Sequence, residues 1–156
     1  MKYNSNILNP AWVTGFIDGE GTFYCGISPK SDMKIGYQVT LQFVITQHIR
    51  DVVLMQKFVD FFNCGYLTKD GLTKYQYRIR NLKDLENHLF PLINDYPLHT
   101  QKSLDFWAFK QIHGLVSAKQ HLTEEGLNKI RGIKATMNRA RMQTVYKNKK
   151  EDDSWF

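Results

Sequence analysis

The chain has 156 residues, 42% of them hydrophobic, with a formal net charge of +6 and an isoelectric point near 9.3. This length is enough for one domain with its own core, so folding requires neither disulfides nor a structural metal. The two cysteines, Cys25 and Cys64, lie far apart and fit neither a zinc pattern nor a disulfide framework, which predicts buried reduced thiols.

The positive charge favours polyanionic partners, nucleic acid before others. The first residues are polar, so no secretory signal is visible, and no apolar run approaches the roughly 18 residues of a membrane span. We therefore expect a protein without a membrane partner that works inside a cell or an organelle and is not secreted.

The first predicted helix covers about residues 10–18. Pro10 is tolerated in the first turn of a helix, and Gly21 ends the segment. Gly15 and Gly19 lie four residues apart and share one helix face, where the lack of side chains would let a second backbone approach closely. These features together indicate a helix that packs against a copy of itself.

Two acids, Asp18 and Glu20, lie at the end of this helix, where the helix dipole disfavours negative charge. A divalent cation with oxygen ligands is an economical way to offset that charge. One helix position aims only one acid at a shared axis, so we expect Glu20 to be the ligand and Asp18 to bond nearby backbone donors. The plainer alternative is an amphipathic helix that ends in a glycine cap and an acidic turn.

Residues 22–28 and 37–47 are predicted strands, joined by a polar hairpin connection at 29–36. In the second strand apolar and polar residues alternate, so one face should pack on helices and the other should carry amides and hydroxyls. The apolar positions are Val39, Leu41, Phe43 and Ile45, and the polar ones are Gln38, Thr40, Gln42 and Thr46. Amides of this kind read base edges in DNA, although a solvated sheet face is the simpler interpretation.

A helix predicted at 51–62 separates this hairpin from a second one, with strands at 66–70 and 75–80. The last strand alternates sharply, so its polar residues should share a face with the glutamines of the first hairpin. Those polar residues are Gln76, Arg78 and Arg80. Two arginines beside the amides make a plausible surface for reading a DNA groove.

Three more helices are predicted, at 82–93, at 102–115 and from Thr123 to about residue 146. The last of these is strongly basic, with eight Lys or Arg and no acid between residues 128 and 150. Phosphate contact is the favoured use of these charges, and a solvated helix face is the alternative. The basic residues are Lys129, Arg131, Lys134, Arg139, Arg141, Lys147, Lys149 and Lys150.

The segment at 13–21, Val-Thr-Gly-Phe-Ile-Asp-Gly-Glu-Gly, resembles the signature of the LAGLIDADG homing endonucleases, with Glu20 in place of the final Asp. Tyr96-Pro97-Leu98-His99-Thr100-Gln101-Lys102 resembles the family's Pro-Leu-x-Thr-x-Lys segment. The order of elements is similar to the family's α+β fold, an αββαββα core. In that fold a four-stranded antiparallel sheet saddles DNA and the helices pack on its opposite face. The resemblance covers about residues 10–143 of what we expect to be a single domain over 1–156.

The motif occurs once in this chain, and single-motif members of the family act as homodimers. The resemblance therefore implies a two-fold dimer that cuts near-palindromic double-stranded DNA. Its implied interface consists of Trp12, Gly15, Phe16 and Gly19.

The chemistry that the resemblance implies is hydrolysis of phosphodiesters assisted by Mg²⁺, with Mn²⁺ or Ca²⁺ able to occupy the site. Glu20 and the carbonyl of Gly19 are the implied metal ligands. Gln47 matches a polar residue that would orient water, and Lys102 would stabilise transition-state charge. His99 lies in the same segment as Lys102 and is the alternative cation.

DNA contact is expected on the polar sheet face, because strand alternation gives one set of positions a common side. The expected DNA-binding residues are Ser28, Lys30, Gln38, Thr40, Gln42, Thr68, Asp70, Gln76, Arg78 and Arg80.

A homing endonuclease is the expected function. The alternatives are a maturase that binds intron RNA on the same fold and a DNA-binding regulator that does not cut. Intact Glu20 and Gln47 favour cutting, because a retired nuclease need not keep a costly acid at a helix end. Family members occur in introns of mitochondria, chloroplasts, microbes and phages, and we expect an organellar location.

Overall fold

The computed structural model describes residues 2–138. The elements of this range alternate helices with hairpins before the chain turns helical. They are α1 (Pro10–Glu20), β1 (Gly21–Pro29), β2 (Tyr37–His48), α2 (Val52–Phe62), β3 (Tyr66–Asp70), β4 (Lys74–Ile79), α3 (Leu82–Asp84), α4 (Phe90–Asp95), α5 (Lys102–Ser117) and α6 (Glu124–Lys134). Within these residues no helix is both long and apolar enough to cross a membrane.

The four strands form one antiparallel sheet in the order β1-β2-β4-β3. The two hairpins therefore meet along their second strands, with β2 beside β4. Phe23 pairs with Phe43 in the first hairpin, and Tyr77 pairs with both Ile45 and Leu67. Because the register keeps like faces together across all four strands, every residue opposite a core position is also a core position. The predicted α+β fold is confirmed.

All the helices that bury apolar side chains do so on one side of this sheet. Phe43 lies in the core within ring-contact distance of Phe62 from α2, at 6.3 Å between centroids. Phe23 contacts Phe109 of α5 in the same way, at 5.4 Å. Aromatic pairs at such distances add to the stability that burial already supplies. The other face of the sheet carries no helix among the described residues, as the sequence predicted.

The helix predicted at 82–93 is interrupted. A π-helical turn, Leu85–Leu89, joins α3 to α4, and Pro91 lies in the first turn of α4. Proline has no N–H to donate and its ring crowds the carbonyl four residues earlier, so the chain widens before it instead of continuing as a regular helix.

The prediction of a single helix from Thr123 to about residue 146 is wrong. Thr123 does cap the helix, accepting from the Gly126 N–H at 3.0 Å, but α6 ends at Lys134. Asn138 then has a positive φ of 52°, and its side-chain amide donates to the Phe23 carbonyl at 2.7 Å. The predicted basic residues Arg139, Arg141, Lys147, Lys149 and Lys150 lie outside the described residues.

Candidate functional site

Helix α1 presents one buried face and one open face. The Asn9 side chain caps its start, accepting from the N–H groups of Ala11 at 2.9 Å and Trp12 at 3.2 Å. Val13 and Ile17 are fully buried against the core. Trp12 remains 46% exposed on the other side. The helix is therefore anchored along one stripe only.

The open stripe of α1 is built around its two glycines. A methyl group added at Gly15 or at Gly19 would meet nothing within 4 Å among residues 2–138. Of the aromatic residues predicted for an interface, Trp12 stacks on Phe16 at 5.2 Å, whereas Phe16 is half-buried and contacts Phe58 of α2 at 5.4 Å. Phe16 thus joins the open stripe to the chain's own core.

Asp18, on the last turn of α1, bonds a distant loop. Its carboxylate accepts hydrogen bonds from the backbone N–H of His99 at 2.7 Å and of Thr100 at 3.2 Å, and from the Thr100 hydroxyl. Burial acts to raise the pKa of Asp18, but these hydrogen bonds outweigh it and leave the pKa below its ordinary value. The carboxylate fastens residues 99–100 to α1, which is the structural role expected of it.

Lys102 reaches the same helix end from the first turn of α5. Its Nζ donates to the carbonyl of Ile17 in the last turn of α1 at 3.1 Å, and the same carbonyl accepts from the Gly21 N–H. Burial lowers the pKa of the Lys102 ammonium, and the nearby carboxylates of Asp18, Glu20 and Asp105 offset part of that effect. A cation at a helix C-terminus is stabilising, so the charge of Lys102 partly compensates for the two acids at the end of α1.

Glu20 closes α1 as an exposed side chain, directly before β1 begins at Gly21. Gly21 pairs with Ile45 in the sheet, so Gln47 lies two residues further along β2, level with the end of α1. Gln47 has the same strand parity as Ile45 and therefore lies on the helix-covered side. Gly19, Glu20 and Lys102 lie together at this end of α1, and the sheet register places Gln47 at the same level.

The predicted DNA-binding residues lie on the uncovered face of the sheet. Their register pairs are Ser28 with Gln38, Thr46 and Thr68 each with Gln76, and Val44 with Arg78. All have the opposite parity to the buried core positions of their strands, and Lys30, Thr40, Gln42 and Asp70 follow the same alternation. Arg80 comes just after β4 ends at Ile79 and is exposed. The sequence therefore assigned these residues to the correct face.

Arg78 is the centre of a side-chain network on this face. Its guanidinium donates to Gln42 Oε1 at 2.6 Å, to Thr68 Oγ1 at 3.2 Å and to Gln76 Oε1. Gln76 in turn donates to Thr46 Oγ1 at 3.2 Å. One arginine thus connects three strands and fixes the orientation of two amides, which decides whether each amide offers its donor or its acceptor to a ligand.

The part of the basic stretch that the structure describes lies beside the start of β2, on the helix-covered side of the sheet. The Arg131 guanidinium stacks over the Tyr37 ring at 4.6 Å, where β2 begins. Arg131 and Lys134 line a shallow hollow with Ile27 and Tyr37. Lys129 instead pairs with Glu125 at 3.7 Å in solvent. Two of these three cations are therefore available beside the sheet.

A family model described as LAGLIDADG endonuclease matches residues 13–113, which include the whole of the α1 site, both hairpins and most of α5. This chain belongs to the LAGLIDADG endonuclease family. The predicted family resemblance is thereby confirmed over the sheet and the helices that position the site.

Relatives of this LAGLIDADG chain agree with that assignment. "Probable intron-encoded endonuclease 3" of Neurospora crassa is 39% identical over 140 residues, which is 87% of this chain but only 26% of the relative. The crystal structure of the I-LtrWI LAGLIDADG homing endonuclease bound to target DNA is similar with a TM-score of 0.83 at 40% identity, covering 85% of this chain and 45% of that one. The crystal structure of a homing endonuclease, I-TnaI, has a TM-score of 0.80 at 39% identity and covers 90% of this chain and 97% of that one.

The polar face of this LAGLIDADG domain contains residues that sequence reasoning missed. Tyr24 and Tyr66 are exposed on it, and His48 and Lys74 pair at the far end of β2 and β4. The Tyr24 ring lies over Gly26, because a methyl group added at Gly26 would come within 3.0 Å of the Tyr24 hydroxyl oxygen. Strand parity would have assigned all four residues to this face.

Proposed function

We propose that this protein is a site-specific homing endonuclease that makes double-strand breaks in a long, near-palindromic DNA site by metal-assisted hydrolysis. The proposal is supported by the closeness of Lys102 to Glu20 at one end of α1 and by the register that places Gln47 two residues along β2 from the partner of Gly21. Core packing alone does not require an exposed acid and a half-buried lysine at the same helix end. The DNA-bound and endonuclease names of the similar proteins support the same activity.

The end of α1 suits a hard divalent cation such as Mg²⁺. Glu20 offers an exposed carboxylate, and the last carbonyls of a helix have no partner within the helix, so Gly19 offers a second oxygen. Oxygen ligands of this kind are those that Mg²⁺ prefers, while Mn²⁺ or Ca²⁺ would fit the same donors. When bound, the cation would supply charge stabilisation and an activated nucleophile for phosphodiester hydrolysis.

The chain's own residues would complete the centre. Glu20 and the Gly19 carbonyl would hold the cation. The Gln47 amide, level with Glu20, would orient an attacking water by hydrogen bonding. The Lys102 ammonium would stabilise the negative charge that develops on the scissile phosphate. Lys102 is favoured over His99 because its charge interacts with Glu20, whereas the His99 contact described above is the backbone N–H to Asp18.

We propose that two such domains pair through the open stripe of α1, with Trp12, Gly15, Phe16 and Gly19 in the interface. The absence of any atom near the two glycine positions leaves room for a second helix to approach at backbone distance. A two-fold pairing of this kind would bring one Glu20 from each domain to the dyad. It would also join the two polar faces into one continuous surface for a near-palindromic site.

Sequence would be read by the polar face, with phosphates held at its margins. The DNA-binding residues would be Ser28, Lys30, Gln38, Thr40, Gln42, Thr68, Asp70, Gln76, Arg78 and Arg80, of which Arg80, beyond the end of β4, would contact a phosphate. Arg131 and Lys134 would contact phosphates, where binding depends on charge and not on sequence. Because its relatives are named as intron-encoded proteins of fungi, we propose that this chain too is intron-encoded and acts in an organelle, the mitochondrion before the chloroplast.

The decisive experiment is cleavage of a randomised duplex library by purified protein, with Mg²⁺ and with EDTA. We expect one long, roughly two-fold-symmetric site to be cut, and only with metal. Glu20→Gln should abolish cutting of that site but keep its binding. A folded protein that binds DNA but cuts no member of the library would instead be a regulator. A folded protein that binds intron RNA in preference to duplex DNA would be a maturase.

A further inference from the structure

Cys64, Asp84 and His88 form a cluster away from the α1 site. Cys64 follows α2, while Asp84 and His88 lie one turn apart where α3 passes into the π-helical turn. One ligand atom from each of the three residues lies within 4.8 Å of the other two, and all three side chains are half-buried. Thiol, carboxylate and imidazole groups are thus brought together from two distant parts of the sequence.

The backbone around each of these groups is held in place. The Tyr77 hydroxyl donates to the Cys64 carbonyl at 2.6 Å. Gly65 next to it has a positive φ of 81°, and a methyl group there would lie 2.6 Å from the Arg78 carbonyl oxygen, so the turn is tightly enclosed. Asn81 caps α3 by accepting from the Asp84 N–H at 3.2 Å. A cluster on anchored backbone is pre-organised for a ligand.

The orientation of His88 is that of a metal ligand. Its Nδ1 lies 2.9 Å from the Lys2 carbonyl oxygen, which only accepts, so Nδ1 must donate. In the neutral ring this leaves Nε2 with a free lone pair. Metal-binding histidines regularly donate their other ring N–H to a backbone carbonyl or a carboxylate in this manner, which sets the tautomer and the ring plane.

We propose that Cys64, Asp84 and His88 bind a transition-metal ion of the zinc class. A thiolate and an imidazole with one carboxylate favour Zn²⁺ over Mg²⁺ or Ca²⁺, which prefer all-oxygen sites. Ligand atoms of a tetrahedral zinc site lie roughly 3.3–3.8 Å apart, given bond lengths of about 2.0–2.3 Å. The observed ligand atoms, within 4.8 Å of one another, would move closer to bind the ion, and water would fill the fourth position.

The bound ion would tie together the end of α2, the start of α3 and, through the Lys2 carbonyl, the N-terminal segment. Such a site stabilises the fold, because ligands brought together only in the folded chain convert binding energy into folding energy. The site is separate from the proposed nuclease centre, which would use oxygen ligands at the end of α1.

The test is metal binding by the full chain in its reduced form, carried out on Glu20→Gln protein so that the acid site of α1 contributes little. We expect one Zn²⁺ per chain in competition with a chelator, and a rise in the midpoint of thermal unfolding on adding Zn²⁺. Co²⁺ should give the sulfur-to-cobalt charge-transfer absorption of a bound thiolate.

Three ligand variants and one matched control decide the outcome. Cys64→Ser should remove the charge-transfer band, and Asp84→Asn and His88→Gln should each lower Zn²⁺ affinity by at least about tenfold. Cys25→Ala removes the other, buried cysteine and should leave the charge-transfer band and the Zn²⁺ affinity unchanged. A Co²⁺ complex without the thiolate band, or Zn²⁺ affinity that survives His88→Gln, would overturn the site. Should Cys64→Ser fail to fold, the other two variants still decide the question.

Discussion

Asp18 and Glu20 are two residues apart, yet their carboxylates meet different environments. The Asp18 carboxylate accepts hydrogen bonds from the N–H groups of His99 and Thr100, and these bonds hold the loop at residues 99–100 against α1. Glu20 is exposed at the helix end, near the ammonium of Lys102. Asp18 therefore has a structural role, and Glu20 remains available for chemistry.

The hydrogen bonds of Asp18 predict a pH-dependent contribution to stability. Its folded pKa is lowered below the unfolded value, so its contribution is present above that value and disappears as pH falls through the folded pKa. Asp18→Asn should therefore lower the free energy of unfolding near pH 7 by about 1–2 kcal/mol. The difference between the two proteins should shrink as pH falls through the lowered folded pKa of Asp18, where the carboxylate becomes protonated.

Urea unfolding of both proteins across this pH range is the measurement. Asp32→Asn is the matched control, since Asp32 is exposed in the loop between β1 and β2. An Asp18→Asn deficit that is the same at every pH would show that charge is not the cause.

Lys102 predicts the alkaline limit of activity. Burial lowers the pKa of its ammonium, so the charge proposed to stabilise the transition state is lost at a lower pH than for an ordinary lysine. Cleavage should fall as pH rises through that lowered pKa. Lys102→Arg, which stays charged up to about pH 12, should lose some rate at neutral pH but show no such fall. Lys102→Met should lower the rate about 10²–10³-fold near neutral pH, and this deficit should shrink as pH rises and the unchanged protein loses the Lys102 charge.

Single-turnover cleavage rates against pH provide the comparison. An alkaline limit in Lys102→Arg identical to that of the unchanged protein would assign the limit to another group.

At the scale of elements, the period-two alternation of the strands determines which side chains lie on each face of the sheet. It sends one set of side chains into the core under α2 and α5 and the other set onto the polar face. The register then lines up side chains that are far apart in sequence, as in the row of Thr46, Gln76 and Thr68. Strand β4 is central to this because it lies between the two neighbours β2 and β3.

The two arginines after Tyr77 predict different binding defects. Arg78 fixes two amides through its network, so Arg78→Met should relax base preference at one position of each half-site, a loss of about 1–3 kcal/mol of discrimination. Arg80 is exposed beyond the strand end, so Arg80→Met should weaken binding to all sequences alike and reduce the salt slope by about one.

These effects are measured by binding selections and salt titrations on Glu20→Gln protein, which is expected to bind without cutting. Each arginine variant is the control for the other. Unchanged base preference in Arg78→Met, or altered preference in Arg80→Met, would contradict the assignment.

At the scale of the whole molecule, the described domain is a two-layer structure with two surfaces left open. One is the polar face of the sheet, and the other is the glycine stripe of α1. Pairing two domains through the stripe would extend the face to both halves of a symmetric site, which a single domain would read only in part. The proposed assembly and the proposed substrate therefore depend on each other.

The stripe predicts a substitution that separates folding from pairing. Gly15→Leu adds a side chain where nothing lies within 4 Å, so the single domain should fold at least as stably. A leucine there would hold the second helix away, and the dimer and its cleavage should be lost. Gly114→Leu on α5 is the matched control, because a methyl group added at Gly114 also meets nothing within 4 Å among the described residues.

Sedimentation of both variants and of the unchanged protein gives the answer. A Gly15→Leu dimer as tight as the unchanged one would move the interface elsewhere, as would a dimer broken by Gly114→Leu.

Much of the fold follows from local patterns in the sequence. Alternation in β2 and β4 predicted both faces of the sheet, because side-chain direction in a strand follows residue parity. The glycine spacing and the acids of α1 predicted its open stripe and the separate roles of Asp18 and Glu20. Local patterns missed the early end of α6 at Lys134, after which Asn138 bonds the Phe23 carbonyl of β1, a contact that no window around residue 138 contains.

Only the tertiary structure decided which distant residues meet. The sequence offered both His99 and Lys102 as cations, and the approach of α5 to the end of α1 brought the Lys102 ammonium near Glu20. Cys64 was expected to be an inert buried thiol, because cysteine spacing alone contains no information about Asp84 and His88. Pairings of this kind depend on how helices pack over the sheet, which periodicity in one segment does not specify.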